Sequence, residues 1–227
     1  SLSWDKHIDK ICSQIRSRLS LLKRIKPFLS LECSLRYYNS CIHSTFLYCS
    51  TAWCNCSTSL LLRLLRIQKK AARLILDADF LNSSVSLFTQ LRWLPISQLI
   101  SLRKLVLLFN IVNNPEAPIC HKRNFNFLSS FRSSGAFTRA CNLDFQVPHP
   151  RTNSGKRTYA YSATSLFNCL DSELKQLLRH PKLSSSLSAN ISTFKSKLLD
   201  IFLQLTLHVS HLEELFCSNC RYKLCCG

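Results

Sequence analysis

The chain holds 227 residues, 46% of them hydrophobic, enough to bury one large core or two small ones. Its 30 Lys and Arg outnumber 12 Asp and Glu, and the net charge of +18 favours a polyanionic partner, nucleic acid ahead of an anionic membrane surface. Only Gly135, Gly155 and Gly227 supply glycine, which excludes a P-loop and a dinucleotide-binding fingerprint.

No apolar run approaches the roughly 18 residues a membrane-spanning helix needs, because Leu105–Phe109 is interrupted by Asn110. No signal peptide opens the chain, so it is expected inside the cell and not secreted. With no Met anywhere, the sequence reads as a fragment. Thirteen cysteines without regular spacing read as reduced thiols, several of them buried as small hydrophobes.

In chain order, Ser3 is placed to cap a helix from about Asp5 to Lys26. Ile8, Ile11, Ile15, Leu19, Leu22 and Ile25 recur there at helical spacing, and Pro27 ends it. Ser30 opens a second helix through about Leu47, with Leu31, Leu35, Tyr38, Ile42 and Phe46 inward. Tyr48–Cys56 reads as an aromatic, Cys-rich connection. Cys54 and Cys56 sit too close together for a zinc knuckle.

Residues 59–76, SLLLRLLRIQKKAARLIL, sort into two faces on a helix. Leu60, Leu64, Ile67, Ala71 and Leu74 form an apolar stripe. Arg63, Arg66, Lys70 and Arg73 form a basic one, widened by Lys69. Ser57 or Thr58 is placed to cap it. No acid lies between Ser57 and Leu76, so the five cations have no partner along the helix. They are the candidate phosphate-binding residues.

Asp77 and Asp79 follow, two carboxylates where a helix ends, read as a solvated loop rather than a metal site. A short helix is expected at 84–91, then Trp93-Leu94-Pro95-Ile96, then a strongly apolar core helix from Gln98 to Asn113. Asn113–Pro118 is the best boundary by composition. Beyond it, Leu143–Val147 alternates as a short strand and Thr158–Ala163 reads as a second strand or hairpin arm. A helix fits Ser172–Arg179, residues 183–189 form a serine-rich linker, and Asn190 or Ser192 starts a last amphipathic helix. The expected fold is mainly α. A helical bundle at 1–113 precedes a smaller irregular α+β region at 119–205 with a short hairpin and a C-terminal helix. A Cys/His-rich tail at 206–227, expected to be flexible, ends the chain.

Several segments together carry a resemblance. LSWDKHIDKI, the Tyr48–Trp53 pair, LLRIQKKAARLIL, LRWLPISQLISLRK and STFKSKLLDIF stand in the order seen after the palm in non-LTR (LINE-like, jockey-type) retrotransposon reverse transcriptases. Val147-Pro148, Arg151-Thr152 and Gly155 match a further family stretch. Phe167-Asn168-Cys169-Leu170-Asp171 resembles its aromatic-Asn-x-Leu-Pro signature, with Phe for Trp and Asp for Pro. The resemblance implies a thumb and C-terminal region that grips the template–primer backbone in RNA, DNA or an RNA–DNA hybrid. The Mg²⁺-holding aspartates would belong to a palm upstream of Ser1, since no Asp-Asp pair occurs here. The fragment would then be inactive by itself and nuclear within its parent polypeptide. The alternatives are a basic helical protein–protein interaction module and a non-functional transposon relic.

The tail holds one candidate zinc set. His208 and His211 would share a helical face, and Cys217 and Cys220 form a C-x2-C. Its untidy surroundings favour a thiol-bearing tail, so no cofactor is expected. Hydrolytic catalysis has no support: no G-x-S-x-G occurs, and His43 near Cys41 reads as an edge or buried histidine.

Overall fold

The structure, a computed structural model, describes residues 3–130, 143–181 and 186–215. It is mainly helical, with no strand among the described residues. Two compact units make up the chain. The first comprises Ser1–Ile100 and Phe202–Arg221, the second Ser101–Ile201 and Tyr222–Gly227. The proline-rich stretch at 113–118 lies inside the second unit.

In the first unit, α1 (Asp5–Ile25) buries Ile8, Ile11, Ile15 and Leu22. Ser3 accepts the Asp5 N–H at 3.3 Å. A 3₁₀ turn containing Pro27 reverses the chain. The second helix begins as α2 (Leu31–Tyr37), capped by the Ser30 hydroxyl on Cys33 N–H at 3.2 Å. It widens to a π turn at Tyr38–His43 and ends as α3 (Ser44–Leu47). The π turn carries Tyr38, 2% exposed, whose ring stacks on Trp93 at 3.9 Å. A short α4 (Ser50–Trp53) buries Trp53, whose Nε1 donates to Tyr48 O at 2.9 Å.

Next comes α5 (Thr58–Leu76), which packs on α1. The two run parallel, since Asp9 meets Arg63 near their starts and Lys26 meets Asp77 at their ends. Ser57 is extended at the N-cap, but its hydroxyl pairs with Ser59 at 2.9 Å rather than capping. After α6 (Ser84–Leu91), the chain turns through Arg92 in the left-handed region, φ 51°. The Trp93 N–H returns to Phe88 O at 2.8 Å, the six-to-one bond of a Schellman ending.

The apolar helix is α7 (Ile96–Asn113). It is 18 residues long and apolar enough, by length and composition, to cross a membrane, against the expectation that no stretch reaches that measure. More than half of it is buried within the protein, and Lys104 in its middle is 0% exposed.

In the second unit, α8 (Ile119–Lys122) precedes an aromatic cluster of Phe125, Phe127, Phe145, Phe167 and Tyr159. The expected hairpin is absent. Leu143–Val147 makes a single antiparallel bridge, Phe127 to Phe145. Thr158–Ala163 enters a helix instead, α9 (Tyr159–Asn168), started by the Thr158 hydroxyl on Tyr161 N–H at 3.4 Å. Alternation of polar and apolar residues over six positions suits either state; the cap and the unbroken hydrogen-bonding run that follows decide for helix. Then follow α10 (Ser172–Arg179) and α11 (Leu187–Leu207). The latter starts earlier than expected, with the Ser186 hydroxyl on Ala189 N–H at 3.3 Å, so 187–189 are helix rather than linker. Cys169 is disulfide-bonded, against the expectation of reduced thiols.

The chain after α11 is packed where it is described. Leu212 and Leu215 are 0% and 2% exposed on a 3₁₀ turn, and Thr206, 1% exposed, donates to Gln98 at 2.8 Å.

Candidate nucleic-acid interface

The basic stripe of α5 rests on the burial of its opposite face. Leu60, Leu61, Leu64, Leu65, Ile67, Ala71, Ala72 and Ile75 are all 5% exposed or less, while Leu74 is half-buried. That face is wider than the five-residue stripe expected, because α5 packs against both α1 and α6. Gln68 joins it at 2% exposure and donates to Leu94 O at 2.8 Å, tying the Trp93-Leu94-Pro95 segment to the helix. The buried Tyr38 phenol faces the same Gln68, and desolvation raises its pKa well above the usual tyrosine value.

With that face anchored, the cations divide into three kinds. Arg63 is ion-paired to Asp9 of α1, 54 residues away. The Asp9 hydrogen bond raises the Arg63 pKa further. Lys69 bonds Glu213, 144 residues away, at 2.6 Å, and its own side chain is only 14% exposed. Burial pushes the Glu213 carboxyl up, but the Lys69 hydrogen bond and charge, with a backbone hydrogen bond and His211, hold it below its ordinary value. Arg73 lies over the Phe80 ring at 5.2 Å and reaches Asn82 O at 3.5 Å.

Arg66 and Lys70 remain exposed, with no partner among the described residues. At about 100° per residue they lie between Arg63 on one edge of the stripe and Lys69 on the other. The expectation of five unpaired cations is thus corrected: tertiary carboxylates occupy the edges and leave the middle open. Asp9 and Glu213 are the residues sequence reasoning missed. Nothing within reach of the helix pattern points to them, because both come from distant segments.

Burial raises the Cys12 thiol, and Arg63 and Arg16 together pull the other way, so both guanidinium groups are near that buried sulfur. Exposed cations on a helix attract polyanions without reading sequence.

The other candidates do not assemble. Among the described residues no group of three or more His, Cys, Asp or Glu is placed to hold a metal ion. Asp77 is the left-handed C-cap of α5, φ 50°, and is paired to Lys26. His208 and His211 do not share a helical face, because α11 stops at Leu207. Cys217 and Cys220 lie outside the described residues. His43 stacks on Tyr38 at 6.0 Å. No family model, curated protein or solved structure matches the chain.

Proposed function

We propose that the chain is the thumb-like, non-catalytic nucleic-acid-binding part of a non-LTR retrotransposon reverse transcriptase, gripping the template–primer backbone through α5. The observation that carries this reading is the pair Arg66 and Lys70, exposed and free of carboxylates on a helix whose other face is buried. The net charge of +18 supports it, as does the ordered set of segments resembling that family. Arg63, Lys69 and Arg73 flank the contact and add long-range attraction. The polymerase chemistry would lie in an upstream palm, and the parent polypeptide would act in the nucleus.

A second reading has one observation in its favour. Arg63 and Lys69 already hold carboxylates, so the same face is suited to an acidic protein partner.

Titrating the chain with an RNA–DNA hybrid across a salt series separates the two. Wild type should bind with affinity falling linearly in log–log form. R66Q/K70Q should lose about tenfold or more and reduce the slope by about two, roughly one per phosphate contact removed. R63Q/K69Q should lose less. Equal binding by all three proteins, or none by a folded wild type, would overturn the nucleic-acid reading.

A further inference from the structure

A groove of about 930 Å³ opens in the second unit, within the range of about 300–1,000 Å³ in which proteins hold small ligands. One wall is the Pro148–Pro150 segment, which Gly155 allows to approach closely: a Cβ on that glycine would come within 2.4 Å of Pro150 Cβ. The opposite wall comes from α7 and α8, with Asn110 and His121 among its residues.

Its chemistry is of two kinds. On its lining, the half-buried Asn110 amide and the exposed His121 and His149 imidazoles have no protein partner among the described residues. The Tyr159 ring beside them is fixed by its hydroxyl on Lys104 O at 2.8 Å and by an edge contact with Phe125. Arg123, Arg151 and Lys156, all exposed, directly flank lining positions in sequence, and Glu116 is the sole carboxylate on the lining. Amide and imidazole groups on the lining, with three exposed cations at adjoining sequence positions, match an occupant with flat hydrogen-bonding rings on an anionic backbone. Unpaired nucleotides of a strand offer both, whereas pairing in a duplex hides the base edges and faces.

We propose that this groove binds unpaired nucleotides of a single-stranded nucleic acid, Asn110, His121 and His149 contacting the bases and Arg151 and Lys156 the phosphates. The groove shares no residue with α5 and does not depend on the reading of that helix. It also gives a physical role to the Val147–Gly155 segment, which the backbone-gripping reading leaves unused.

The test uses the full chain and a fluorescein-labelled hexauridylate, followed by anisotropy at several salt concentrations. N110A/H149A should weaken binding about tenfold or more with little change in salt slope. R151Q/K156Q should weaken it and lower the slope by about two. R66Q/K70Q should leave hexamer binding within about threefold of wild type, whatever it does to hybrid binding. Because variants can misfold, hexamers carrying 4-thiouridine are also photocrosslinked to wild type and the adducts mapped. Adducts within residues 107–125 or 147–160 support the proposal. Adducts confined to residues 58–76, hexamer binding unmoved by both groove variants, or a groove that takes an acidic peptide and no hexamer would each overturn it.

Discussion

Asn168 holds both backbone polar groups of Phe145 with one amide. Its Nδ2 donates to the Phe145 carbonyl and its Oδ1 accepts the Phe145 N–H, each at 2.9 Å. Lys175 closes the arrangement, donating to Asn168 O at 2.7 Å and pairing with Asp144 at 2.8 Å, with side chains only 9% and 12% exposed. Removing the amide strands two partly buried backbone groups, so N168A should cost about 2–4 kcal/mol in the second unit. Urea denaturation followed by circular dichroism checks this; a loss under about 1 kcal/mol would sink the clamp. Asn168 was visible in the sequence as part of an aromatic-Asn signature, but its task was not. Gln68 misleads in the opposite direction: flanked by Ile67 and Lys69 in a basic helix it looks solvated, yet it is 2% exposed. A side chain's partner across the fold leaves no trace in its local pattern.

At the scale of elements, the scarcity of glycine has a consequence. Cys49, Asp77 and Arg92 occupy left-handed backbone, φ 48° to 51°, where a β-carbon is disfavoured. Arg92 ends α6 with no ion pair among the described residues to offset this, unlike Asp77. R92G should therefore stabilise the first unit by about 1 kcal/mol. A thermal melt showing no gain, or a loss, would refute it. The amphipathic helices α1 and α5 were legible to within a residue or two, because repeated burial at helical spacing over five or six turns leaves no competing state. The π turn at Tyr38–His43 was not legible. It arises where Tyr38 stacks on Trp93, a contact 55 residues long in sequence terms that the helix interior cannot announce. The misread helix at Tyr159–Asn168 was short enough for both periodicities to fit, and its Thr158 cap was passed over.

For the whole molecule, charge is the dominant imbalance. Six ion pairs are formed among the described residues, and they engage half of the twelve acids. Most have an exposed partner and contribute little each, whereas the +18 excess repels itself across the surface. Added salt screens both, and the repulsion is the larger sum. The melting temperature should thus rise as NaCl goes from about 0.02 to about 0.3 M, over which the Debye length falls from roughly 20 to 6 Å. A melting temperature that falls with salt would show that the ion pairs outweigh the repulsion. Lys175–Asp144, largely shielded from solvent, should respond least.

Spacing along the chain is enough to establish that the protein is helical, that α1, α5 and α7 exist, and that α5 turns a basic face away from its leucines. Those properties follow from spacing along one segment, and each segment carries its own evidence. Which cations stay free depends on long-range packing. Asp9 and Glu213 reach α5 from 54 and 144 residues away, and they neutralise its edges while leaving Arg66 and Lys70 open. The groove of the second unit is of the same origin, since its walls come from residues 107–125 and 148–160. Local periodicity sets which face of a helix is buried; which charges survive on the other face depends on what the rest of the chain brings to it.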